Sequence, residues 1–377
     1  MIHEKSWFHV CENKNFAAEL KAKAMKSKIA VFYRTGEPLH LETCDIPALH
    51  PGEVLVKNEY ATLCRSDIST YTGRRIEKSP TILGHEIVGR VVAVAPDEPA
   101  IDLDGHPLFA GERVTWAIYA ADPEGTMARR GIPQKAPDLF KYGHERLTAE
   151  NTLHGGLAEY TILRRHTPIL PLSEEVPAPV AAIINCAVAT VAGSLRLAGE
   201  VKGRRVVIRG AGMLGIVACT MCREQRAATI VAVDMDAGRL EVARRFGATT
   251  VCLTGEDDLA GTADISIDYS GVPSAMEATI ADLAIGGTAV WVGGVAPRGN
   301  VTLNPETIVR RLLTVRGLHN YNTGDFRTAV EFISACHGRY PFHELIYDGF
   351  PLDRANEAFA YALTHNPFRV GVRSHSN

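Results

Sequence analysis

Charge of one sign is in short supply here. The 377 residues carry 40 Lys and Arg against 43 Asp and Glu, a net charge of -3. There is no basic excess to hold a nucleic acid or an anionic membrane surface. Cysteine is also scarce: eight in 377 residues is far too dilute for a disulfide-stapled scaffold. The N-terminus has no apolar stretch behind a basic start, because Lys5, His9, Glu12, Lys14, Glu19 and Lys21 interrupt it. Secretion is not expected and a reducing cytoplasm is. Long uncharged runs are missing with one exception, the twenty residues from Val176 to Leu195. That run has the length of a membrane span, but it holds Pro177, Pro179, Asn185, Cys186 and Ser194 and is poor in Leu and Phe. No membrane span is expected. No repeat or low-complexity tract is present.

What remains is an ordinary globular composition, 46% hydrophobic, 22% charged and 7% aromatic. The length calls for two domains, or one large one. Residues 1–27 read as an N-terminal extension, with Phe16 to Ala24 fitting one helix of thin apolar face. From Lys28 to about residue 175 the pattern is strand-rich: Ile29–Tyr33, Glu53–Lys57 and Ile87–Val94 are short β-branched runs bounded by turns such as Pro51-Gly52. Residues 120–155 are dense in breakers and read as a long loop or lobe. After about residue 188 strands and helices alternate: Arg205–Arg209, Leu214–Arg226, Thr229–Asp234, Gly238–Phe246, Ala263–Asp268, Ser274–Leu283 and Thr288–Gly293. That alternation predicts a parallel sheet covered on both faces.

Gly210-Ala-Gly212-Met213-Leu214-Gly215 fits G-x-G-x-x-G, follows a strand and opens a helix. Asp234 ends the next strand, nineteen residues past Gly215. In this context the pattern predicts a dinucleotide site: Gly210 for the tight turn, Gly212 for backbone approach to a pyrophosphate, Gly215 for close helix–strand packing. The phosphates would meet free N–H groups at the helix N-terminus. Asp234 suits both ribose hydroxyls and repels a 2′-phosphate, which favours NAD; Arg239 nearby argues the other way. Without a cofactor, the same glycines would be a turn in an unrelated α/β sheet.

Three more residues have the chemistry of a zinc site. Cys64, His85 and Cys186 would supply two thiolates and one imidazole, leaving a fourth tetrahedral position open. No local spacing joins them. Taken singly, each reads equally as a buried cysteine or a satisfied core histidine.

From about residue 28 to the C-terminus the sequence resembles the zinc-dependent medium-chain alcohol dehydrogenase superfamily. The resemblance is carried by Pro51-Gly-Glu-Val-Leu-Val56, Cys64-Arg-Ser-Asp67, Gly84-His-Glu86, Gly111-Glu-Arg-Val114, Gly155-Gly-Leu-Ala-Glu-Tyr160, Cys186, the glycine fingerprint and Asp234. It implies an α/β two-domain fold. A GroES-like, strand-rich catalytic domain (28–187 and 318–377) would enclose an inserted doubly wound Rossmann domain (188–317). It implies Cys64, His85 and Cys186 as ligands of one catalytic zinc, with Glu86 as fourth or alternating ligand. Asp67 would orient the ligand histidine and Ser66 would take the substrate proton. Arg65 and Arg369 would contact the cofactor pyrophosphate. Gly293, Gly294 and Val295 would back the nicotinamide ring.

The sequence departs from that family in two places. Ser69 stands where many members end a proton relay on histidine. Asp122, Gly125, Ala128 and Ala136 stand where many members hold a structural zinc with four cysteines, so no structural zinc is expected. The lobe would then rest on Leu139, Phe140 and Tyr142 as apolar anchors, with Pro133 and Pro137 limiting its freedom. Arg130–Lys135, Leu139–His144 and Gly317–Tyr321 also resemble a branch associated with phosphonate catabolism. That would suggest an anionic substrate facing Lys135, Lys141, His144 or His319; otherwise these residues form a solvated face.

The reading is a zinc-containing, NAD-linked alcohol dehydrogenase that reversibly oxidises a small alcohol to a carbonyl, acting as a homodimer or homotetramer. Three alternatives stand beside it: a polyol or amino-alcohol dehydrogenase, a zinc-free quinone or enoyl reductase of the same superfamily, and a non-enzymatic nucleotide sensor. Cys219-x-x-Cys222 lies inside the predicted helix behind the glycine turn and reads as packing rather than redox. Trp116 and Trp291 read as core.

Overall fold

A computed structural model describes residues 25–256, 258–294 and 299–375. The N-terminal helix and Val295 of the sequence reading lie outside the described residues.

Six short β-branched strands build one fully parallel sheet. Its spatial order is Thr250–Leu253, Thr229–Asp234, Arg205–Arg209, Ala263–Asp268, Leu283–Trp291, Thr314–Gly317. In chain order that is 3-2-1-4-5-6, the doubly wound dinucleotide-binding order, whose crevice opens at the carboxyl ends of the strands. Val206, Val207 and Ile208 have no exposure, as expected for strands covered on both faces. Helix Met213–Glu224 packs on this sheet, and Cys219 and Cys222 are buried within it. Trp116 is buried as well.

The second sheet is mixed, in the order Ile169–Pro171, Arg113–Trp116, Glu86–Val94, Val54–Leu63, Arg369–Arg373, Ile346–Pro351. Tyr160–Leu163 pairs with the first half of Val54–Leu63. A third, three-stranded sheet joins His40–Asp45, Lys26–Phe32 and Thr81–Ile82. The register of the mixed sheet matters for the site. Thr62 faces Glu86 on one side and Gly371 on the other, and Leu63 faces Val370. Three distant stretches of chain are thereby aligned at one point.

The uncharged run forms one helical rod, Ala178–Ala198. It is long and apolar enough to cross a membrane, but 78% of its most apolar window is buried inside the protein. The rod is not uniform: Ile184–Val188 is a π-turn between two α-segments, and Val188 N donates to the carbonyl of Ile183, five residues back. Such turns often sit at functional sites.

The breaker-rich lobe is more ordered than a plain loop. It contains a short helix (Thr126–Arg129), a 3-10 turn (Pro133–Lys135) and a two-stranded ribbon that pairs Tyr119–Ala120 with Phe140–Lys141. Tyr142 is fully buried and its hydroxyl meets Thr167 Oγ1 at 2.6 Å. Leu139 and Phe140 are partly buried against two hydrophobic clusters.

Candidate active site

Cys64 directly follows the strand Val54–Leu63 and is the N-cap of helix Arg65–Tyr71. His85 precedes the strand Glu86–Val94, and Cys186 lies in the π-turn. The donor atoms of these three residues lie within 4.8 Å of one another. Asp67 orders the group. Its Oδ2 accepts from Cys64 N at 2.8 Å, its Oδ1 accepts from Gly84 N at 3.1 Å, and Oδ1 stands 3.3 Å from His85 Nδ1. One buried carboxylate thus spans two of the donor segments. Ser66 Oγ is 3.4 Å from His85 Nε2, at the edge of the cluster.

The electrostatics suit a cation. Cys186 shares its proton with Cys64, and Arg369 and His85 add positive potential. Together they hold the Cys64 thiol well below its usual range despite burial. Cys186 is pushed up by the same hydrogen bond and by burial. Burial opposes charge on His85, yet Asp67 and the Cys64 thiolate raise it to about 10. The donor set therefore holds protons that a divalent cation would displace on binding. Two thiolates and an imidazole, buried together with a carboxylate on the imidazole's far nitrogen, fit zinc.

Glu86 and Arg369 are placed differently from the sequence reading. The Glu86 carboxylate turns to Arg369, not into the donor cluster. Arg369 Nε donates to Oε2 at 2.6 Å and Nη2 to Oε1 at 2.8 Å, while Thr62 Oγ1 donates to Oε2 at 2.6 Å. Arg369 Nη2 also reaches Cys64 Sγ at 3.6 Å. Arg369 is only 2% exposed, so its guanidinium faces Glu86 and a zinc-type thiolate rather than an open pyrophosphate site. The register of the mixed sheet is the cause, because it brings position 369 beside the end of the strand that leads into Cys64.

The fingerprint turn lies between strand Arg205–Arg209 and helix Met213–Glu224. Gly210 has a φ of +98°, and a Cβ on Gly215 would come within 2.0 Å of the Gly210 carbonyl, so helix and strand touch there. Around Gly212 the nearest heavy atom to such a Cβ is Arg239 Nη1 at 3.6 Å, which leaves the phosphate approach clear of backbone. Met213 and Leu214 open the helix. Asp234 Oδ2 accepts from Ala211 N at 2.6 Å, which sets its carboxylate against the same turn. Arg239 stacks over Phe368 at 4.9 Å and donates to the carbonyl of Asn366 at 2.9 Å; Arg65 donates to the side chain of Asn366. Gly293 packs directly on Gly271, so that a Cβ added to either would come within 2.1 Å of the other's backbone, and Gly294 follows on the cavity wall. Sequence reasoning missed the device beneath this turn. Asp268 accepts from Ser270 N and Oγ at 3.0 and 2.6 Å and from Gly271 N at 2.9 Å.

Residues 50–174 match the alcohol dehydrogenase GroES-like domain family, and residues 214–335 the zinc-binding dehydrogenase family. The chain belongs to the medium-chain alcohol dehydrogenase superfamily. It is 29% identical over 332 residues to D-xylulose reductase A of Aspergillus niger, covering 83% of this chain and 87% of that protein. It is 26% identical to L-threonine 3-dehydrogenase of Xanthomonas oryzae pv. oryzae, over 88% of this chain and 95% of that one. In structure it is similar to an alcohol dehydrogenase from Thermotoga maritima, with a TM-score of 0.86, 25% identity and coverage of 93% and 99%. The protein is an oxidoreductase acting on CH–OH groups, of the zinc-binding type that uses a nicotinamide cofactor.

A cavity of about 530 Å³ in this dehydrogenase is lined by Trp291, Val292, Gly294, Gly317, Lys135 and His319, among others. Trp291, read as core, is thus a cavity wall, held by Nε1 donating to Thr279 Oγ1 at 2.9 Å. The lobe brings cations to this side. Lys135 Nζ meets His319 Nδ1 at 2.6 Å, and Lys141 Nζ reaches Asn320 Oδ1 at 3.5 Å. Burial, with Arg75 nearby, lowers Lys141 to about 8. His144 is buried, its ring 5.0 Å from that of His85 and its Nδ1 3.1 Å from Glu77. Glu77 is also paired to Arg75 at 2.5 Å, a cation the sequence reading did not single out. A smaller cavity of about 370 Å³, lined by Leu240, Arg244 and Cys252 among others, has no predicted site residue on its wall.

Proposed function

We propose that this chain is a zinc-dependent, NAD-linked dehydrogenase of a small alcohol whose non-reacting end is anionic. The observation that carries the reading is the convergence of Cys64, His85 and Cys186 within 4.8 Å, beside Ser66. When bound, zinc supplies Lewis-acid polarisation of the alcohol oxygen and the nicotinamide supplies a hydride acceptor. The protein's own residues do the rest. Cys64, His85 and Cys186 hold the metal, Asp67 orients His85, and Arg369 keeps Glu86 and Cys64 charge-balanced. Ser66 accepts the hydroxyl proton. Because Ser69 stands at the usual relay position, that proton passes on to water or another base. Walls such as Trp291 and Val292 would hold donor and acceptor in contact.

Asp234 supports NAD, since its carboxylate lies against the fingerprint turn where a 2′-phosphate would be repelled. Lys135, Lys141 and Arg75 support an anionic arm such as a phosphonate. A polyol or amino-alcohol substrate is the second reading, favoured by the D-xylulose reductase and L-threonine dehydrogenase relatives. The same three donors favour zinc chemistry over the zinc-free reductase. A cytoplasmic site, with every described cysteine a free thiol, and a homodimer or homotetramer belong to the same proposal. The test is Cys186→Ala. Zinc content should fall from about one per chain to near zero and NAD reduction should disappear, with the circular dichroism spectrum retained. Full activity in metal-free protein would refute it.

A further inference from the structure

Cys186 is the ligand with the least obvious support, since it lies in a π-turn rather than in a sheet register. The buried surroundings of that turn supply a brace. Tyr321 is fully buried, and its hydroxyl donates to the carbonyl of Asn185 while accepting from Ile118 N at 3.0 Å. Both functions of one hydroxyl are used, on two elements far apart in sequence. On the other side of the same residue, Ile87 N approaches Asn185 Oδ1 at 3.4 Å. Ile87 is two residues past His85. Asn185 therefore connects the segment of one zinc-type ligand with that of another.

The segment carrying Tyr321 is itself held firmly. It follows strand Thr314–Gly317, and Asn320 adopts a left-handed conformation with φ of +58°. Asn322 then caps helix Thr323–Cys336, with Asp325 N donating to Asn322 Oδ1 at 2.9 Å and Asn322 N to Asp325 Oδ2 at 3.0 Å. Asp325 in turn accepts from Arg196 at 2.6 and 3.0 Å. Arg196 lies on helix Ala189–Ala198, the direct continuation of the π-turn. The rod that carries Cys186 is thus gripped at two places by one stretch of chain. The Tyr321 ring packs at 6.0 Å from Tyr119 and at 6.4 Å, stacked, on Phe326. The neighbouring Tyr119 hydroxyl is buried with no hydrogen-bond partner among the described residues.

We propose that Tyr321 and Asn185 are positioning residues for the third metal ligand: they fix the π-turn so that Cys186 faces Cys64 and His85. The inference rests on the zinc reading above. A general expectation supports it, since outer partners of metal ligands typically contribute ~10–100-fold to metal affinity.

Zinc affinity of the purified full chain, measured by competition with a chromophoric chelator, tests the proposal. Tyr321→Phe keeps the ring and removes the hydroxyl; its zinc dissociation constant should rise ~10-fold or more. Tyr119→Phe removes the unpartnered hydroxyl beside it and should stay within about twofold of the parent. In the cobalt-substituted protein, the thiolate-to-metal band should shift in Tyr321→Phe and stay in place in Tyr119→Phe. A merely structural tyrosine would lower the melting temperature of the metal-free protein while leaving both zinc constants equal, and that result overturns the proposal. Parent protein that binds no zinc would instead sink the underlying zinc reading. Should Tyr321→Phe be insoluble, Asn185→Ala is measured the same way; an unchanged constant there overturns the proposal too.

Discussion

At the scale of single residues, the site is a set of charges whose neighbours decide their state. Lys141 is the clearest case, because burial lowers it to about 8. Its cationic form, which would hold an anionic arm, is populated below that pH and lost above it. The kcat/KM for a hydroxyalkyl phosphonate should therefore fall as pH rises through about 8, while that for a neutral polyol should not follow the same step. Lys141→Ala should raise KM for the anionic substrate ~10-fold, the scale of one charge-assisted hydrogen bond. Equal profiles for both substrates would count against the anionic arm. Asp234 makes the second case. The parent should prefer NAD over NADP by at least ~10-fold in kcat/KM, about 1.4 kcal/mol, and Asp234→Ala should narrow the gap. Steady-state kinetics with both cofactors checks it.

At the scale of elements, the lobe from about residue 120 to 147 is the most distinctive part of the chain. Asp122, Gly125, Ala128 and Ala136 offer one oxygen ligand where a structural zinc site needs four donors. Asp122 Oδ1 instead accepts from Glu124 N at 2.9 Å, a local turn contact. Order comes from the ribbon with Tyr119–Ala120, from buried Pro133 and from the Tyr142–Thr167 contact. Zinc should accordingly titrate to about one site per chain. Anomalous scattering at the zinc edge should give a single peak, near Cys186, and a second peak in the lobe would disprove this account. The lobe places Lys135 on the cavity wall beside His319, and Lys141 beside Asn320.

At the scale of the whole molecule, one end of the parallel sheet has no further strand paired to it among the described residues. Strand Thr314–Gly317 is its edge, and Ile285, Val309 and Leu312 nearby are 76%, 70% and 73% exposed. Gly286 N donates to Arg311 O at 2.8 Å, which ties the turn after Ile285 to the segment that carries Leu312. An unpaired edge beside apolar surface favours pairing with a second copy. Leu312→Glu should shift sedimentation-velocity profiles towards monomer, with the melting temperature of the fold changed by only a few degrees. A parent that sediments as a monomer would refute the pairing.

The sequence by itself determined whatever rests on local pattern. The alternation after residue 188 specified a parallel sheet because strand and helix periods are local properties. Gly210, Gly212, Gly215 and Asp234 specified the dinucleotide turn because each acts within one strand–turn–helix unit. The three donors were nameable too, though only through resemblance, since no spacing links positions 64, 85 and 186. Tertiary structure alone decided what depends on register between distant strands. That Arg369 meets Glu86 follows from Thr62 facing both Glu86 and Gly371, a pairing across 283 residues that no local pattern encodes. The same holds for Tyr321 against Asn185, 136 residues apart, and for Trp291 as a cavity wall. Side-chain type and spacing follow from covalent neighbours; contacts between sheets and across a cleft exist only once the chain has closed a long loop and buried both partners.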